Sequence, residues 1–132
     1  MIQTFADTYF FLAVLNPDDA AHERAMAVAE RLPGAVVTSQ WVLTEVGDAC
    51  SDPADRQPFV EYLFDLEADS RFKIIRADDA TFHRGLELFA HRADKHWSLT
   101  DCISFVVMDE LHIRDALTGD VHFRQAGFNT LL

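Results

Sequence analysis

Short apolar runs of strand character alternate with longer helical ones along this chain, and that alternation restricts the fold more than any other feature. Ile2–Ala6, Ala35–Thr38, Arg71–Arg76, Asp115–Thr118 and Asn129–Leu132 read as strands. Between them lie helical stretches: Thr8–Leu15, Asp18–Leu32, Gln40–Cys50, Pro58–Ala68, a segment from the Asp78 cap to Arg92, Leu99 to about His112, and Val121–Ala126. Asn16-Pro17, Pro33-Gly34 and Ser51-Asp52-Pro53 punctuate the pattern, with Asp18 or Asp19 as the expected cap of the second helix and Ser39 of the third. Strands that alternate with helices form an α/β sandwich around a mostly parallel sheet. The 132 residues fit one domain spanning 1–132, with no repeat or linker.

Composition narrows the class. Hydrophobic residues make up 49% of the chain, enough for a core, and eleven Phe and two Trp make that core partly aromatic. No apolar run reaches the roughly 20 residues that cross a bilayer. The first residues lack a basic and then apolar leader pattern, so a cytoplasmic protein with no membrane association is expected. Cys50 and Cys102 form no CxxC pair and read as two buried, reduced thiols. The net charge of -11 runs against nucleic-acid binding, which favours excess positive charge. The imbalance is uneven: residues 1–70 hold 13 acids and 3 bases, whereas residues 71–132 hold 9 acids and 8 bases.

In parallel α/β sheets, sites gather at the carboxyl ends of strands. Four acids fall there. Asp7 follows the first strand, and its plain alternative is a helix N-cap. Glu45 lies in the apolar stretch Trp41-Val42-Leu43-Thr44-Glu45-Val46-Gly47, where a carboxylate must face water, pair or bind a cation. Its alternative is a solvated helix face shared with Asp48. Asp101 opens an apolar helix, and Ser98-x-x-Asp101 has the form of a capping box. Ser104 stands one turn further on the same face, able to hold Asp101 or a water, or simply to satisfy itself within the helix. Asp120 follows Leu117-Thr118-Gly119, where Thr118 can orient its neighbours and Asp120 can equally be a turn residue. His122 reads as a surface histidine. Clustered carboxylates repel one another, and a hard cation, Mg²⁺ or Mn²⁺, relieves that repulsion.

The segments Phe5-Ala6-Asp7-Thr8, Leu43-Thr44-Glu45, Trp97 to Phe105 and Leu117 to Phe128 resemble the successive acidic motifs of PIN-domain nucleases. The likeness covers essentially the whole chain and is nearest to the small VapC-type toxins of toxin–antitoxin pairs; Leu15 to Ala25 resembles the region after their first motif. The resemblance implies a PIN-like three-layer sandwich and metal-dependent hydrolysis of RNA phosphodiesters. It implies that Asp7 and Asp101 hold Mg²⁺ or Mn²⁺ directly, that Glu45 and Asp120 complete the cluster partly through water, and that Ser104 and Thr118 support it. It implies a homodimer and a cognate antitoxin protein as partner. One position departs: many relatives carry a small polar residue two places after the first Asp, where this chain has Tyr9.

Three other readings compete. A catalytically silent PIN-like module that binds RNA or protein fits the -11 charge, but a degenerate module would be expected to have lost some of the four acids. A haloacid-dehalogenase-like phosphotransfer enzyme needs a second Asp where Tyr9 stands. A receiver domain needs an acidic pair at the end of the first strand and a Lys near the last, but only Asp7 stands there and the only lysines are Lys73 and Lys95.

Overall fold

A computed structural model describes residues 2–132. The five strands are β1 (Gln3–Ala6), β2 (Ala35–Ser39), β3 (Phe72–Ile75), β4 (Asp115–Leu117) and β5 (Asn129–Thr130). The seven helices are α1 (Thr8–Leu15), α2 (His22–Arg31), α3 (Gln40–Ala49), α4 (Pro53–Ala68), α5 (Asp79–His91), α6 (Leu99–Glu110) and α7 (Val121–Gln125). All strand pairings are parallel, in the order β3-β2-β1-β4-β5. The chain therefore steps outward from β1 through β2 to β3, then crosses back to lay β4 on the other side of β1. That reversal makes the crevice between β1 and β4 the topological switch point, where the strands' carboxyl ends diverge and a ligand finds room.

The α/β alternation read from the sequence is the observed one, and two helix starts differ from expectation. Helix α2 begins at His22 rather than Asp18. The two aspartates expected to cap it stand in turns instead: Asn16 Oδ1 accepts from the Asp18 amide and Asp19 Oδ1 from the Ala21 amide, so the polar side chains serve local turns before the helix begins. Helix α4 begins at Pro53 rather than Pro58. Asp52 caps it through the Ala54 amide, and Pro53 occupies the first helical position, where its missing N–H costs nothing. What reads as a chain break is a helix start, and Pro58 is carried inside the helix. Helix α6 ends two residues short of His112, which takes a φ of 56°. The Ile113 amide bonds Met108 O and the His112 amide bonds Asp109 O, closing the helix end and turning the chain into β4.

Phe5, Ala6, Phe10, Phe11, Val37, Met108, Ile113 and Leu117 are among the buried residues of the core. An aromatic nest joins the last third of the chain. Phe105 on α6 meets Trp97 at 5.0 Å and Phe123 on α7 at 4.9 Å, both edge-to-face, and Phe128 at 5.5 Å. This fixes α7 against the head of α6. On the other side α6 lies close to α5: a Cβ added at Gly85 would fall 2.4 Å from Ile103 Cγ1 and 3.0 Å from Ile103 Cα, so only glycine permits this approach. Cys102 is buried; Cys50, at the end of α3, is only partly covered, against the expectation of two buried thiols, and neither is disulfide-bonded. Among the described residues, no helix is long and apolar enough to cross a membrane.

Candidate active site

The four acids arrive at the switch point from four different places: Asp7 from the end of β1, Glu45 from the second turn of α3, Asp101 from the first turn of α6, and Asp120 from the turn between β4 and α7. Asp7 stands at the N-cap of α1, yet its side chain makes no capping hydrogen bond. The Thr118 hydroxyl instead donates to Asp7 Oδ2 at 3.0 Å, joining residues 111 positions apart. The same Thr118 oxygen accepts from the Asp120 amide at 3.0 Å, so one buried hydroxyl ties the first acid to the last. Thr8, directly after Asp7, donates its hydroxyl to Glu45 Oε1. Glu45 is half-buried and held by this bond, whereas Asp48 one turn on is exposed, so the two do not share a solvated face.

Asp101 is both cap and cluster member. Its Oδ2 accepts from the Ser98 amide while Ser98 Oγ accepts from the Asp101 amide, a complete capping box. The same Oδ2 lies 2.9 Å from His122 Nδ1. A carboxylate only accepts, so Nδ1 carries the hydrogen, and in the neutral ring Nε2 is left as a lone-pair donor. Asp120 caps α7 through the His122 amide at 2.9 Å, and its Oδ1 lies 3.5 Å from the His122 ring. Thus His122, read from the sequence as a surface residue, is half-buried between two acids. The signal that could have found it is its place in the first turn of a helix opened by Asp120, directly before the buried Phe123 that pins α7 to α6.

Burial of the Asp7 carboxyl, with 4% of the residue exposed, pushes its pKa up to about 7. The Thr8 amide pulls the other way, the charge of Asp101 adds to the rise, the Thr118 hydroxyl opposes it, and the charge of Glu45 adds again. An acid so placed gains from a nearby cation. One ligand atom each from Asp101, Asp120 and His122 lies within 4.8 Å of the others, close enough to share one ion. Ser104 Oγ, buried one turn beyond Asp101 on α6, has no hydrogen-bond partner among the described residues, although most buried hydroxyls find one. A carboxylate-rich donor set beside an unpartnered hydroxyl fits a hard divalent cation and its waters.

Comparison with known proteins bears on the family and the fold. The chain is 28% identical over 127 residues to the 23S rRNA-specific endonuclease VapC20 of Mycobacterium tuberculosis, covering 94% of each chain. The crystal structure of that protein, described as a Sarcin-Ricin loop cleaving toxin, superposes with a TM-score of 0.87 at 25% identity over 95% of both chains. The fold is also that of VapBC2 from Rickettsia felis bound to a promoter DNA fragment, with a TM-score of 0.69 at 14% identity, 98% of this chain and 97% of that one being covered. The PIN domain model matches residues 4–129, across all four acidic motifs. The chain belongs to the PIN-domain family.

Proposed function

We propose that this protein is a metal-dependent endoribonuclease, the toxin of a toxin–antitoxin pair, acting in the cytoplasm on RNA. The observation that carries this reading is the acidic group at the β1/β4 end of the sheet: Asp7, buried and bonded by Thr118, feels the charges of Asp101 and Glu45, and Asp101 and Asp120 lie with His122 within reach of one ion. Asp7 and Asp101 are assigned as direct ligands of Mg²⁺ or Mn²⁺, with Glu45, Asp120 and His122 completing the set. When bound, such an ion supplies Lewis-acid stabilisation to a phosphodiester and makes water a better nucleophile.

The chain's own residues do the rest. Thr118 holds the Asp7 carboxylate through Oδ2 and fixes the Asp120 turn. Thr8 orients Glu45. Ser98 and His122 fix Asp101 from two sides. Ser104 offers its free hydroxyl to a water in the cluster. The likeness to VapC20 supports the toxin reading and makes 23S rRNA the first substrate to try. A cognate antitoxin and a homodimer complete the proposal.

The test is cleavage of ribosomal RNA with Mn²⁺ by wild type, Asp7→Asn and Asp101→Asn. Both variants are expected to keep the fold by circular dichroism and to lose at least about a hundredfold in rate. Undiminished cleavage in both overturns the assignment. The net charge of -11 favours one rival, a silent RNA- or protein-binding module, which predicts no Mn²⁺ binding at millimolar concentration by calorimetry.

A further inference from the structure

The acids leave a problem of affinity, because a chain of net charge -11 with four carboxylates at its site has little Coulombic attraction for a phosphate backbone. An exposed aromatic beside the site offers another source. Tyr9, two residues after Asp7 on the first turn of α1, is 40% exposed although its neighbours Thr8 and Phe10 are buried. Its ring lies over Gly119, the residue between Thr118 and Asp120. A Cβ placed on Gly119 would fall 2.6 Å from Tyr9 Cζ and 2.7 Å from its hydroxyl, so any side chain there would displace the ring. Val121, next after Asp120, is also exposed. The phenol therefore stands directly over the turn that links two of the site's residues, with part of its surface open to solvent.

We infer that Tyr9 is a substrate-contacting residue, seated on Gly119, whose exposed ring stacks on an unpaired base next to the phosphate at the acidic site. Stacking suits single-stranded RNA because every base has a π face, and it needs no positive charge. This inference rests on the nuclease reading for its substrate.

Binding of a short single-stranded RNA carrying 2-aminopurine, in EDTA, reads stacking as fluorescence quenching; cleavage with Mn²⁺ gives KM and kcat. Tyr9→Ala is expected to abolish the quenching and raise Kd and KM about tenfold or more, with kcat changing less. Tyr9→Phe stays close to wild type, and Mn²⁺ affinity by calorimetry is the same in all three. Gly119→Ala, which dislodges the ring, raises KM similarly, and the double variant Gly119→Ala/Tyr9→Ala binds no more weakly than Tyr9→Ala alone. Wild-type binding by Tyr9→Ala overturns the inference, as does an equal loss in Tyr9→Phe or an additive loss in the double variant. Quenching by wild type without cleavage instead removes the nuclease reading and leaves the stacking contact in place. An absence of RNA binding by wild type removes both.

Discussion

The two walls of the acidic crevice solve different problems with the same kind of side chain. On the β1 and α3 wall, Asp7 is buried and its carboxyl is pushed up to about 7, and the Thr8 amide and the Thr118 hydroxyl only partly offset the cost of dehydrating it. On the α6 and α7 wall, Asp101 and Asp120 are already engaged by the backbone amides of Ser98 and His122 and by the His122 ring. The first wall holds electrostatic cost that a cation can release; the second holds orientation. A carboxylate's contribution thus follows from how far its burial outweighs the donors that reach it.

The largest expected effect strikes the first wall. Asp7 is protonated in both folded and unfolded chains below its unfolded value of 3.8 and ionised in both above about 7. Metal-free stability should therefore fall as pH rises through that window, by up to about 4 kcal/mol. Thermal melts in EDTA at pH 5 and pH 8 should show this slope in wild type and not in Asp7→Asn, which should be the more stable protein at pH 8. A flat wild-type profile would break the distinction between the walls.

Next comes the support of the second wall. Gly85→Ala forces a methyl against Ile103 and should cost about 1–3 kcal/mol, seen as a lower denaturation midpoint, by pushing α6 away from α5. His122→Ala removes the ring between Asp101 and Asp120 and should weaken Mn²⁺ binding about tenfold by calorimetry, with little change in melting temperature. An unchanged affinity would leave His122 as packing alone. The smallest effect is expected for Ser98→Ala, which opens the capping box at a cost of about 1 kcal/mol in chemical denaturation.

Much of this arrangement was legible because strand ends and helix starts are written locally. Asp7 follows an apolar run, Ser98-x-x-Asp101 is a cap signature, and Asp78 caps its helix through Thr81 as expected. Features set by side-chain competition were harder to read. Asp18 and Asp19 look like caps, yet a turn in which Asn16 and Asp19 accept amides delays the helix to His22. Pro53 looks like a break, yet it sits where a helix loses nothing by it. His122 was illegible for a longer-range reason: its partner lies on α6, and only the packing of Phe123 against Phe105 brings the two together.

The bond between Thr118 and Asp7 spans nearly the whole chain, and this has a consequence for the timing of synthesis. A nascent polypeptide carries Asp7 and Glu45 early, whereas Thr118, Asp120 and His122 follow more than seventy residues later. The first half of the chain, folded alone, would leave Asp7 without its hydroxyl donor, so the crevice is complete only once the segment beyond β4 has joined it.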